Sequence, residues 1–396
     1  MTQETGMPAA NKTSRRTKIL FSSVVLVAFC ICLESGARII EIWLPTERID
    51  YGQGFDHASR IFSADKNRSQ LFRTRPDKRR AFHDQTFLVP KPPGTLRIVT
   101  LGGSSVNNLQ VEWKKLTQQL QKQFTPQFAN VEIINVGGRS YGSHRLVKVM
   151  QEMLAYEPDL VLVYSGHNEF EEVEQLHLSE LNRVALNRTL SRLSLFRLLR
   201  DRWTDRQVSR LDREHRERVL ADANVNVARA WRYPFTASDV AKRMSAFREN
   251  LTRIIQLCQR SNVPVIIGSV PSNLVKPYLP RKSRERFNEV VQFYRSQQFE
   301  DGLSLARKIL RETIGRHQSS DLENEIIRQL SKQYAVPLAD VEYNIIMQEP
   351  HGWPGATLFT DHCHFNQQGN EFCRQTFEKV VSETLKKFLE ESDNVN

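Results

Sequence analysis

The chain has 396 residues, of which 40% are hydrophobic and 26% charged, and a formal charge of +11 at pH 7. That is ordinary globular composition, enough for one large domain or two smaller ones, and it removes the need for a disulfide scaffold. The basic excess suits anionic surroundings (lipid headgroups, acidic glycans, nucleic acid) without choosing among them, and Arg-rich solvated helix faces account for it as well.

Residues 1–18 are polar and end in a basic cluster, Arg15, Arg16 and Lys18. Ile19 to Leu33 then runs without a charge, and the apolar pattern continues past Glu34 to Leu44. The charge-free part is short of the roughly 20 residues a spanning helix needs. Arg38 can snorkel, however, and Trp43 suits a membrane interface. The expectation is a transmembrane anchor over residues 19–44, with residues 1–18 as a cytoplasmic tail and the body of the protein periplasmic or on the cell surface. Ser35-Gly36-Ala37 offers a rival, a cleaved signal peptide. The apolar face extends beyond that site, which favours an uncleaved anchor. Phe29 before Cys30 argues against a lipoprotein.

Residues 45–94 are polar, Arg-rich and flecked with aromatics, and read as an irregular linker ending in Pro90, Pro92, Pro93 and Gly94. From Thr95 the pattern becomes strand, helix, strand. Leu96–Leu101 is an apolar run ending in Gly102-Gly103, and Val111–Phe124 has helical spacing. Val131–Val136 is a second strand before Gly137-Gly138, and His144–Tyr156 a second helix. Asp159–Tyr164 is a third strand, ending in Ser165-Gly166. Helix Phe247–Cys258 leads to strand Val263–Gly268, and helix Glu323–Gln333 to a fifth strand, Val336–Val341. Asn366–Phe388 closes as a helix. Near-continuous apolar strands alternating with helices predict an α/β fold with a five-stranded parallel sheet covered on both faces. Its active site belongs at the carboxyl ends of the strands.

Two insertions interrupt the rhythm. Residues 171–243 are Arg-rich and helical in composition, with Leu190, Leu193, Phe196 and Leu199 as an apolar stripe on one helix. They pack on the core or form a lid or membrane-facing cap. Residues 280–320, with Val291–Tyr294, Gln298–Gly302 and Ala306, look like one degraded tetratricopeptide unit. One repeat cannot bury its own face, so a helical hairpin is expected.

Four motifs carry chemistry. Gly103-Ser104-Ser105 follows the first strand, where a serine hydroxyl reaches a cleft; alone, it reads better as a tight turn with a helix cap. Gly137-Gly138-Arg139-Ser140 follows the second strand and exposes backbone N–H groups. Gly166-His167-Asn168-Glu169 follows the third, and an Asn amide there can donate to a developing oxyanion; an Asx-turn is the plainer reading. Asp361-His362-Cys363-His364 places an Asp three residues before a His, where it can orient the imidazole that a serine needs as base. A metal site from Asp361, His362 and His364 is the weaker reading, since no other cluster supplies further ligands. Nor do the cysteines show zinc spacing. Cys363 and Cys373 can approach across a turn, but no disulfide is expected.

Taken together and in this order, the motifs resemble the SGNH (GDSL-like) hydrolase superfamily, in a branch with one N-terminal membrane segment and a Gly-His-Asn-Glu block. The likeness covers Thr95 to the last helix. It implies a three-layer, flavodoxin-like α/β/α sandwich over residues 95–396. It also implies a nucleophile at Ser104, a base and its orienting acid at His364 and Asp361, and oxyanion donors at the Ser140 backbone and the Asn168 amide. Gly103 stands where the family's Asp usually sits, Ser140 where it has Gly, Glu169 where it often has Asp, and Phe365 where Pro is common. The implied activity is ester hydrolysis, acetyl esters included, on a cell-envelope glycan or lipid, with no metal or organic cofactor. The alternatives are an O-acetyltransferase using the same triad and a silent envelope-binding protein. His167 and Arg139 are candidates for the pocket wall. Nucleic acid is not an expected partner, because the arginines are interspersed with Glu and Asp and no nucleic-acid motif is present.

Overall fold

The computed structural model describes residues 14–125, 127–178, 181–210 and 235–393. It divides into two compact units, Met1–Arg48 with Asn182–Arg210, and Ile49–Leu181 with Leu211–Asn396.

The larger unit holds the sheet. Strands β4 (Thr95–Gly102), β5 (Asn130–Gly137), β6 (Leu160–Tyr164), β7 (Val265–Gly268) and β8 (Leu338–Ala339) lie in the order β5-β4-β6-β7-β8, all parallel. The register aligns Gly102 with Gly137 and Tyr164, Tyr164 with Gly268, and Gly268 with Ala339. All five strands therefore end along one edge, and the motif-bearing loops leave from it. Helices α2 (Ser104–Asn108), α3 (Gln110–Gln123), α4 (Ser143–Met153) and α5 (Glu169–Leu178) follow the first three strands.

Helix α8 (Ala237–Arg260) packs with α4 and with α11 (Asp321–Tyr334), while α13 (Gln367–Asp393) packs with α3 and with α12 (Val341–Gln348). The expected three layers and five parallel strands are what the chain adopts. The core is tight where α13 crosses the sheet: Phe377 meets Trp113 and Tyr164 edge-on, and a Cβ on Gly268 would stand 2.7 Å from the Phe377 ring. Burying each such side chain stabilises by about 1.5–3 kcal/mol.

Three local expectations need correction. The supposed linker is not irregular. Its strands β1 (Phe62–Ala64), β2 (Leu71–Thr74) and β3 (Thr86–Leu88) form an antiparallel meander. Phe62, Phe72 and Phe87 there pack around Tyr156. The fifth strand is two residues, because the Asp340 side chain accepts from Tyr343 N and starts α12, so Val341 begins a helix. The stripe Leu190–Leu199 is not one helix. It is split between α6 (Val184–Leu190) and α7 (Ser194–Val208), with Leu193 as the extended cap of α7. The rest of that insertion, residues 179–180 and 211–234, lies outside the described residues. The second insertion is the expected hairpin, α9 (Arg281–Arg295) and α10 (Phe299–Glu312), with a satellite core of Phe287, Val290, Ala306, Ile309 and Trp353.

The smaller unit comprises α1 (Arg15–Trp43), α6 and α7. Helix α1 is long and apolar enough to cross a membrane. All five cysteines are free thiols.

Candidate active site

Ser104 is the first residue of α2, directly after β4 and the extended cap Gly103. Its partner comes from the turn after α12. Phe359 and Phe365 bridge that turn, and Thr360 N donates to His364 O at 2.9 Å. Inside it, Asp361 Oδ1 accepts from the backbone N–H of Cys363 and of His364, both at 2.8 Å. Oδ2 lies 2.7 Å from His364 Nδ1, and His364 Nε2 lies 2.8 Å from Ser104 Oγ. With Nδ1–H donating to the carboxylate, Nε2 presents its lone pair to the serine O–H. Asn273, in the loop after β7, fastens the turn: its N–H donates to His362 O at 3.0 Å and its amide to Asp361 O at 2.9 Å.

Burial works against charge on Asp361, yet its bonds to His364 and to two backbone N–H groups hold the carboxyl well below the usual range. Burial likewise opposes an imidazolium at His364. The Cys363 sulfur and the Asp361 carboxylate outweigh it and raise the ring well above its ordinary value. Cys363 Sγ sits 3.6 Å from His364 Nδ1, and despite burial the two neighbouring histidines draw the thiol down to about 7. Asp361, His362 and Cys363 also bring three donor atoms within 4.8 Å of one another. The third member of that group is Cys363 and not the expected His364.

The turn after β5 carries Ser140 at φ +60°, the left-handed region that favours glycine. A non-glycine residue there costs about 1–3 kcal/mol, so the surroundings must enforce it. Arg145 donates to Ser140 O, and the Asn168 amide donates to Tyr141 O at 3.0 Å. Glu172 accepts from the N–H groups of Gly142, His144 and Arg145 and from Arg145 Nε, at 2.8–3.1 Å. Glu169 accepts from Ser143 N and Ser143 Oγ at 2.8 and 2.7 Å and pairs with Arg243. The two carboxylates thus cap α4, where helix-terminal N–H groups favour negative charge. From the supposed linker, Lys78 Nζ reaches Asp50 at 2.6 Å and Tyr141 Oη at 3.3 Å. No motif marked Lys78, Arg145, Glu172 or Arg243. Their partners are distant in sequence.

Among the described residues, neither Ser104 N–H nor Ser140 N–H has a hydrogen-bond acceptor. The Asn168 amide lies against Gly103 and Tyr141, the chain neighbours of Ser104 and Ser140: a Cβ on Gly103 would stand 2.3 Å from Asn168 Nδ2. His167 is buried, with Nδ1 accepting from Ser319 N at 3.1 Å. Burial and the positive histidines nearby lower it to about 3, so it is neutral. Arg139 is exposed on the turn.

Ser140→Gly is expected to raise the melting temperature, by an amount worth about 1 kcal/mol. A thermal melt showing a lower midpoint would mean that the side chain matters more than the backbone angle.

The arrangement joins an α/β sheet edge to a serine–imidazole–carboxylate series flanked by free N–H donors. No protein-family profile and no curated protein sequence matches the chain. Solved structures similar to it include AlAXEase, an acetyl xylan esterase, at 15% identity over 72% of this chain and 100% of that one, TM-score 0.40. Another is a GDSL-like lipase from Bacteroides thetaiotaomicron VPI-5482, at 12% over 74% and 88%, TM-score 0.36. A third is Axe2, an acetylxylan esterase from Geobacillus stearothermophilus, at 10% over 72% and 94%, TM-score 0.38.

Proposed function

We propose that the chain is a membrane-anchored serine esterase of the SGNH type. It removes ester-linked groups, acetyl among them, from a glycan or lipid of the cell envelope. One observation carries the reading: the continuous hydrogen-bond series from Asp361 through His364 to Ser104 Oγ at the carboxyl edge of the sheet. A neutral hydroxyl is a weak nucleophile until a positioned base takes its proton.

In this reading His364 Nε2 accepts the Ser104 proton as Oγ attacks the ester carbonyl. Asp361 holds the Nδ1–H tautomer and stabilises the imidazolium that forms. The carbonyl oxygen becomes an oxyanion beside the Ser104 and Ser140 N–H groups and the second N–H of the Asn168 amide. The C–O bond to the leaving alcohol breaks, and His364 delivers the proton to that alcohol. Water, deprotonated by the same ring, then attacks the acyl-serine; the acyl–Oγ bond breaks, the ring returns its proton to Oγ, and the carboxylic acid leaves. Support for an envelope substrate comes from α1, which is long and apolar enough to cross a membrane, and from Arg15, Arg16 and Lys18 at its start, a charge pattern that favours an extracytoplasmic catalytic unit.

The direct test is a fluorophosphonate probe on the full chain. A covalent adduct is expected on the peptide holding Ser104 and on no peptide of Ser104→Ala. Folded wild-type protein that stays unlabelled would end the esterase reading.

A further inference from the structure

Helix α7 carries its amphipathic pattern the wrong way round for a helix that packs through apolar contact. Its polar side meets α1. Glu34 accepts from Ser194 N and Leu195 N at 3.0 and 3.1 Å, which caps the start of α7. Glu41 accepts from Ser194 Oγ and from Arg197 Nε, both at 2.6 Å. Further along, Glu47 N donates to Asp201 at 2.9 Å and Arg200 donates to Glu47 O at 2.5 Å. At about 100° per residue, Ser194, Arg197 and Asp201 share one face of α7. Phe196, Leu199 and Trp203 fall on the opposite face. Leu199 is 63% exposed and Trp203 50% exposed, with Arg202 and Arg206 exposed along one side of them.

The depth of that pairing in a bilayer follows from α1. Ile19–Leu33 spans about 22 Å as helix, against a hydrocarbon core about 30 Å thick. Glu34 and Glu41 therefore sit at the outer margin of the apolar layer. A carboxylate there is costly unless paired. The N–H groups opening α7 and the Arg197 guanidinium supply the pairing, so α7 lies at the same depth. A helix at that level needs an outward face that is apolar, with a Trp and flanking arginines for the headgroups.

We propose that α7 is an interfacial helix, seated in the headgroup–acyl boundary of the outer leaflet beside α1, with Phe196, Leu199 and Trp203 toward lipid. Arg202 and Arg206 then reach lipid phosphates. The segment Asn182–Arg210 holds eight arginines against two aspartates, which suits an anionic leaflet. This rests on α1 being a membrane anchor, and the experiment separates the two.

A photoreactive p-benzoyl-phenylalanine is placed at Leu26, Leu199, Trp203 or Asp205 in the full chain, which is then reconstituted in phosphatidylcholine–phosphatidylglycerol vesicles. After irradiation, lipid adducts are expected from Leu26, Leu199 and Trp203, with yields at least tenfold above that from Asp205 on the polar face. Adducts from Leu26 but not from Leu199 and Trp203 would overturn the interfacial helix and leave the anchor standing. No adduct from Leu26 would overturn both.

Discussion

His364→Ala is expected to lower kcat for a small ester by about a million-fold, and Ser104→Ala by about as much, with the double variant no worse than either. The two act as one unit: without the ring the hydroxyl keeps its proton, and without the hydroxyl the ring has nothing to activate. Asp361→Asn is expected to lose about ten-thousandfold. An amide in place of Oδ2 no longer fixes the proton on Nδ1, and the ring can present N–H instead of a lone pair to Ser104. Steady-state turnover of 4-nitrophenyl acetate, corrected for spontaneous hydrolysis, measures all four. Equal rates for wild type, Ser104→Ala and His364→Ala would remove the mechanism. The pH profile follows from the raised imidazole. The base must be neutral, so kcat/KM rises with pH through a midpoint above the ordinary histidine value of about 6.5. Cys363 contributes to that rise. Cys363→Ser is therefore expected to move the acid limb to lower pH, and an unmoved limb would assign the whole shift to Asp361.

The strands were readable from sequence wherever a buried apolar run met a glycine-rich turn, because fully covered parallel strands need both properties. The meander before Thr95 was not readable. Its strands are three or four residues long, and their aromatics find partners such as Tyr156 far along the chain. At Val336–Val341 the apolar run predicted a full strand, and the Asp340 cap cut it to Leu338–Ala339 by starting a helix at Val341. The candidate site divides in the same way. Asp361 and His364 were legible because they lie three positions apart, and Ser104 because it follows Gly-Gly at a strand end. The clamp on Ser140 was invisible because its strength lies in buried charge pairs, Arg145 with Glu172 and Arg243 with Glu169, that no local spacing announces. What sequence did suggest was the anomaly itself: a serine where the resemblance implies glycine, hence a backbone that must be held.

Asn168→Ala is expected to lower kcat about a hundred- to a thousandfold with little change in KM, the signature of a donor whose bond strengthens in the transition state. The amide has two N–H groups, and one is occupied by Tyr141 O at 3.0 Å. That bond aims the other and also braces the turn that carries Ser140. Truncation therefore removes one oxyanion donor and loosens a second, so the loss belongs at the upper end of the range. Gly103→Ala provides an independent approach to the same atom. A Cβ at 103 would stand 2.3 Å from Asn168 Nδ2 and 3.2 Å from Tyr141 O. The amide has to swing away, although Ser104, His364 and Asp361 are untouched. A comparable fall in kcat, with the fluorophosphonate adduct on Ser104 still forming, is expected from Gly103→Ala. The same crowding would meet any larger side chain at 103, Asp included, with Asn168 where it lies. If Asn168→Ala kept full kcat and lost only melting temperature, the amide would be a brace for Tyr141 alone, and the backbone N–H groups of Ser104 and Ser140 would have to stabilise the oxyanion unaided.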